Sequence, residues 1–149
     1  MFVKDIMTGS PAFCTSGTSL EQVARLLTEH DCGALPVVDD EASPRPVGIV
    51  TDRDIVCRIV AVGENPKLKT AGHCMSSPCI TVTPATRIDD CCKLMEKSKV
   101  RRLVVVDEKG FCCGMVSQAD IARGATEKTA EVLREVSKPT RGVSTAAAG

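Results

Sequence analysis

Gly48-Ile49-Val50-Thr51-Asp52-Arg53-Asp54-Ile55, set over Gly114-Met115-Val116-Ser117-Gln118-Ala119-Asp120-Ile121, is the stretch on which the fold turns. In each run an apolar strand pattern gives way to a hydroxyl residue, and three residues later a carboxylate stands in the first turn of a helix. The repetition extends outward in both directions. Residues 7–39 lie over 75–107 at a constant offset of 68, so that Thr15, Thr18, Leu26, Leu35, Val37, Val38 and Asp39 recur as Thr83, Thr86, Leu94, Leu103, Val105, Val106 and Asp107. The connection that follows is two residues longer in the first half, after which the two quoted runs align. The chain is a duplicated module of about 60 residues per unit.

Within a unit, Leu20, Val23, Ala24 and Leu27 fall at i, i+3, i+4 and i+7, and Ile88, Cys91, Cys92 and Met95 repeat the spacing. Each set predicts an amphipathic helix, with Thr18 and Thr86 as its N-caps. Two short apolar runs follow in each half, residues 34–38 and 47–50 in the first and 103–106 and 113–116 in the second, and read as adjacent strands. A second helix starts at Thr51, with Ile55, Val56, Ile59 and Val60 expected inward, and at Ser117 in the other half. With the short extended pieces 13–15 and 80–82, each unit reads β-α-β-β-α, and the fold class is α+β (α/β), two half-cores sharing one interface. The expected boundaries are 1–67 for the first unit with its linker, 68–126 for the second, and 127–149 for a terminal helix and tail. The linker is expected to end in a helical turn within 67–74 that matches 4–7. Ala130, Leu133 and Val136 mark the terminal helix, which should stop before Pro139, and residues 141–149 are expected to be disordered.

Composition narrows the function. The 149 residues carry 19 Lys+Arg against 19 Asp+Glu, so no net field draws the chain to nucleic acid or an anionic membrane. Three Phe with no Trp or Tyr leave almost nothing to stack bases. Asp5 interrupts the N-terminal apolar residues, and no stretch approaches the roughly 18 apolar residues of a membrane span, so a soluble cytoplasmic protein is expected. Nine Cys without a C-x-x-C pair point to reduced thiols.

The Thr51/Asp54 and Ser117/Asp120 pairs admit two readings. One is an S/T-x-x-D helix cap worth about 1 kcal/mol. The other is a ribose-phosphate site, in which the carboxylate accepts from vicinal hydroxyls, helix-start N–H groups favour an anion, and Arg53 offers a fork for phosphate.

The tandem repeat, the Leu35-Pro36-Val37-Val38-Asp39 strand and the Gly48–Ile55 run resemble a cystathionine-β-synthase (CBS) domain pair, or Bateman module, over about residues 3–126. That resemblance implies two βαββα units packed sheet to sheet as a pseudo-two-fold pair, with clefts for AMP, ADP, ATP or S-adenosylmethionine. It implies that Thr51 and Asp54 hold one ribose and Ser117 and Asp120 the other. It further implies that Cys14, Thr15, Ala34, Leu35 and Pro36, with Val82, Thr83, Arg102, Leu103 and Val104, line the adenine pockets. Val104 stands where the first unit has Pro36, and Gln118-Ala119 where it has Asp52-Arg53, so Arg101 or Arg102 is expected to supply the second phosphate contact.

Cys91, Cys92 and Cys113 occupy the slots of Val23, Ala24 and Val47 and are expected to pack as small hydrophobes. His73, Cys74 and Cys79 fall short of the four ligands of a structural zinc site, so no metal is expected. Neither His30 nor His73 sits in a recognisable catalytic setting, so no enzyme activity and no catalytic cofactor are expected. The resulting expectation is a regulatory, homodimeric adenine-nucleotide-binding pair acting on an unidentified protein target. A thiol-based redox or metal-responsive module, or a structural dimerisation module with empty clefts, are the alternatives.

Overall fold

The structure, a computed structural model, describes residues 1–137; the expectations for Pro139 and for 141–149 lie outside them. The elements run β1 (Thr8–Gly9), β2 (Cys14–Thr15), α1 (Leu20–Glu29), β3 (Ala34–Val38), β4 (Pro46–Thr51), α2 (Asp52–Ile55), β5 (Thr81–Val82), α3 (Ile88–Ser98), β6 (Arg102–Val106), β7 (Cys112–Ser117) and α4 (Gln118–Val136). The duplicated β-α-β-β-α units are therefore present. One sheet has the order β2-β3-β4 and the other β1-β7-β6-β5.

The two antiparallel pairs share one register. Ala34 faces Thr51 and Leu35 faces Val50, as Arg102 faces Ser117 and Leu103 faces Val116, with a bulge before the last pair in each. Strand β3 is central in its sheet and buried at all five positions, which explains its unbroken apolar run. Pro36 is tolerated there at small cost. The amide that its counterpart Val104 retains makes only a long bond, 3.4 Å to the Ile80 carbonyl.

Each unit's core is completed by the other unit's leading segment. Val3, in a 3₁₀ turn (Val3–Asp5), belongs to the core of Val82, Ile88, Cys91, Met95, Leu103, Val105 and Val116, whereas Ala71 and Cys74 belong to the core of Leu20, Val23, Leu27, Leu35, Val37 and Val50. Backbone bonds repeat the exchange. The N–H groups of Val3 and Lys4 donate to the carbonyls of Thr86 and Pro84, and those of Ala71 and Gly72 to Thr18 and Ser16. Strand β1 then pairs with β7, and Ser76 pairs with Ile49 in the same way. This crossing explains the glycine that opens both quoted runs. A Cβ at Gly48 would lie 2.8 Å from the Ser76 carbonyl oxygen, and one at Gly114 2.9 Å from that of Thr8. The expected linker turn falls at Ala71–His73, in register with Val3–Asp5.

Several expectations are corrected. Helix α1 is capped by Ser19, whose hydroxyl accepts from the Gln22 N–H at 3.1 Å, and α3 starts after Arg87 with no side-chain cap. Thr18 and Thr86 instead accept from the N–H groups of Thr15 and Thr83, closing the turn behind each short strand. Ala24 and Cys92 are exposed, because each helix buries a single line of residues against its sheet: Leu20, Val23 and Leu27, or Ile88, Cys91 and Met95. Cys92 is thus no core residue, while Cys113 packs half-buried on its core. After α2 the chain widens into one π turn, Val56–Val60, which buries Ile59 and leaves Val56 and Val60 more than half exposed. The second helix and the expected terminal helix are one continuous α4, with Leu133 exposed.

Candidate functional site

Both hydroxyl-carboxylate pairs fold as reciprocal helix caps. The Thr51 Oγ1 accepts from the Asp54 N–H and the Asp54 Oδ2 from the Thr51 N–H, each at 3.0 Å. The Ser117 Oγ accepts from the Asp120 N–H at 3.0 Å and the Asp120 Oδ2 from the Ser117 N–H at 2.9 Å. Capping occupies one oxygen of each carboxylate and fixes its orientation. The remaining oxygen faces a cation. Asp54 Oδ1 lies 3.8 Å from Arg58 Nε, and Asp120 Oδ1 pairs with the Arg123 guanidinium.

The two sites differ in the space before them. Ser117 and Asp120 stand on the floor of a cleft of about 670 Å³. Met115 and Val116 of β7 and Gln118 and Ala119 of α4 complete that floor. Thr8 and residues 10–12 of the exchanged N-terminal segment form one wall, and residues 30–34, from the end of α1 to the start of β3, form the other. Arg101, Arg102 and Arg123 add three cations against Asp31 and Asp120. A smaller cleft of about 260 Å³ is lined by Ile49, residues 76–80, Val100, Arg102 and Val104.

Of the residues expected at a site, Ser117, Asp120, Ala34, Arg101 and Arg102 meet in the larger cleft. Val104 and Arg102 line the smaller one, and Thr51, Arg53 and Asp54 line neither. Cys14, Leu35, Pro36, Val82 and Leu103 are buried among core side chains. Thr15 and Thr83 place their hydroxyls 3.2 Å from those of Thr18 and Thr86. Sequence reasoning missed Thr8, residues 10–12, residues 30–33 and Arg123 as cleft residues. Arg123 was readable, lying one helical turn after Asp120, whereas Thr8 and residues 10–12 arrive through the segment exchange and residues 30–33 from the facing unit, which no local pattern announces.

Burial raises several of the thiols. Burial, aided by the neighbouring Cys74, pushes Cys14 up to about 12, and burial pushes Cys79, Cys91 and Cys112 up to about 11. The His73 Nδ1 accepts from the Thr70 N–H at 2.9 Å and Cys74 is in the first core. Among the described residues no three His, Cys, Asp or Glu side chains cluster to hold a metal, and no helix is long and apolar enough to cross a membrane.

The family model for the CBS domain matches residues 3–61 and again 71–127. Hypoxic response protein 1 of Mycobacterium tuberculosis is 36% identical over 124 residues, covering 83% of this chain and 85% of that protein. Its crystal structure with two coordinated zinc ions matches with a TM-score of 0.71 at 33% identity, over 83% of this chain and 98% of that one. The CBS domain pair of protein MJ0100, in complex with 5′-methylthioadenosine and S-adenosyl-L-methionine, matches at 31% identity with a TM-score of 0.74, covering 86% of this chain and 98% of that one. CBSX2 in complex with AMP matches at 25% identity with a TM-score of 0.73 and the same coverage. The chain spans 65% and 63% of the length of two further relatives, from Methanopyrus kandleri and Arabidopsis thaliana.

Proposed function

Because the chain belongs to the CBS domain family as a tandem pair, we propose that it is a regulatory module whose cleft at Ser117 and Asp120 binds an adenosine nucleotide. The observation that carries this reading is the meeting, in about 670 Å³, of a pre-oriented carboxylate and three arginines. The Asp120 oxygen held by Arg123 is placed to accept from vicinal ribose hydroxyls, and the displaced guanidinium, with Arg101 and Arg102, suits a phosphate. That cationic balance favours AMP, ADP or ATP over S-adenosylmethionine, whose sulfonium and ammonium groups are themselves positive. The complexes of CBSX2 with AMP and of the MJ0100 pair with adenosine compounds support the ligand class.

The units, 1–67 and 68–126, work together in this reading, because a ligand in the cleft touches both and the exchanged segment as well. The module acts without chemistry of its own, as a cytoplasmic homodimer that changes its contacts with a protein target on occupancy. Burial holds Cys14, Cys79, Cys91 and Cys112 above the usual thiol range, which weighs against a redox role for these four.

Titration calorimetry with AMP, ADP, ATP and S-adenosylmethionine tests the reading. Micromolar binding, about −8 kcal/mol, is expected for at least one nucleotide. Absence of both heat and thermal shift up to millimolar ligand refutes it.

A further inference from the structure

The pseudo-two-fold relation gives every residue of the larger cleft a counterpart around Thr51 and Asp54. Met115 corresponds to Ile49, Ser117 to Thr51, Asp120 to Asp54 and Thr8 to Ser76. Ile49 and Ser76 do line a cleft, the one of about 260 Å³, but Thr51 and Asp54 are cut off from it. Most of the paired lining positions differ, and the largest change of bulk facing the hydroxyl-carboxylate pair is at one of them. Ala34 faces Thr51 across the first hairpin as Arg102 faces Ser117 across the second, so the wall of the larger cleft that carries Ala34 is matched in the smaller by Arg102.

The guanidinium of Arg102 does not trail into solvent. Its Nη2 lies 3.0 Å from where a Cβ of Gly33 would stand, and the Asp52 Oδ2 lies 3.5 Å from the same point. Arg102 therefore reaches across the pseudo-two-fold to Gly33, which leaves it room, near the start of α2, with the Asp52 carboxylate close by but beyond ion-pair distance. Asp52 has no acidic equivalent in the second unit, where Gln118 takes its place.

Resting on the nucleotide reading above, we infer that the chain binds one ligand, in the Ser117/Asp120 cleft, and that Arg102 is the side chain that closes the symmetry-related Thr51/Asp54 cleft. The second site is latent. Its cap, its carboxylate and Arg53 are in place, and removal of the arginine side chain joins them to the space beside Ile49.

The test is calorimetric stoichiometry on the full chain, with AMP and separately with S-adenosylmethionine as titrants. The wild type should take one AMP per chain. Arg102→Ala, which installs the residue the first unit carries at the same strand position, should take two, and adding Asp54→Asn should weaken the new site at least tenfold. Arg102→Ser, which likewise removes the guanidinium, should also raise the stoichiometry, and it serves in place of Arg102→Ala if that variant does not fold. Two sites in the wild type overturn the inference and leave the nucleotide reading standing. So does a folded Arg102→Ala variant that keeps one site, because the arginine is then not what closes the second cleft. Silence with both titrants in folded wild type refutes the nucleotide reading, and the inference falls with it.

Discussion

Replacing Asp120 by Asn separates the two roles that the Ser117/Asp120 pair can hold. An Asn oxygen still accepts the Ser117 N–H now bonded at 2.9 Å, and the Asp120 N–H still donates to the Ser117 hydroxyl at 3.0 Å. The cap loses only its charge assistance, roughly half of a contribution of about 1 kcal/mol. The Arg123 pair adds little, because the arginine side chain is 67% exposed and such surface pairs contribute about 0.2–1 kcal/mol. Folding stability should therefore fall by less than about 1.5 kcal/mol. The carboxylate itself is 11% exposed, so a ligand bonded to it is largely shielded from water. Loss of charge-assisted acceptance from ribose hydroxyls should weaken binding by about 1.5–3 kcal/mol, roughly tenfold to over a hundredfold. Urea unfolding and AMP titration measure the two quantities on one sample. Affinity unchanged beside a small stability loss would mean that the pair is a helix cap alone and that the ribose assignment is mistaken.

Gly114→Ala should cost about 1–3 kcal/mol in urea unfolding, because its Cβ meets the Thr8 carbonyl oxygen at 2.9 Å and the Met7 Sδ at 3.0 Å, whereas Gly9→Ala, with nothing within 4 Å, should stay within about 0.5 kcal/mol. For alkaline stability, Cys14 keeps its proton in the folded state up to about 12 and loses it near 9.0 when unfolded; the unfolded chain then binds fewer protons, so stability is intact below pH 9.0 and declines from there toward 12. Cys14→Val should flatten that decline in thermal unfolding, and an identical decline would assign it elsewhere. Light scattering should report about twice 15.8 kDa, and Val60→Glu, at a position 53% exposed beside exposed Val56, should shift the mass toward the monomer if that face holds the dimer.

Repetition made the fold legible. A helix or strand argued once from spacing was argued again at an offset of 68, and the two quoted runs placed a strand end, a cap and a helix start within one residue of where they fall. What stayed hidden was non-local. No local pattern marks Val3 as a core residue, yet it is fully buried in the far unit's core, because the segment before each unit crosses to its neighbour. The same crossing brings Thr8 and residues 10–12 to the cleft. Helical periodicity also overstated the width of the buried face at Val56 and Val60, since spacing predicts which residues share a side and leaves open how much of that side the neighbouring sheet covers.

Duplication makes the chain its own control for how a binding cleft is built or closed. The caps, the hairpin registers and the segment crossings repeat, so none of these can explain why one cleft has about 670 Å³ and the other about 260 Å³. The explanation has to lie in the positions that differ, and most of the cleft-lining pairs do, Ala12 against Ile80 and Gly33-Ala34 against Arg101-Arg102 among them. Ala34 against Arg102 changes the bulk of a wall, and Asp52 against Gln118 changes whether an anion stands near the tip of that arginine. Both act in one direction. They leave the Ser117/Asp120 cleft open, and they set the Arg102 side chain in the space before Thr51/Asp54. The sequence run that carries the fuller acidic and basic set, Asp52-Arg53-Asp54, is thus the one whose cleft is closed, because occupancy depends on the volume in front of a motif as well as on the motif itself.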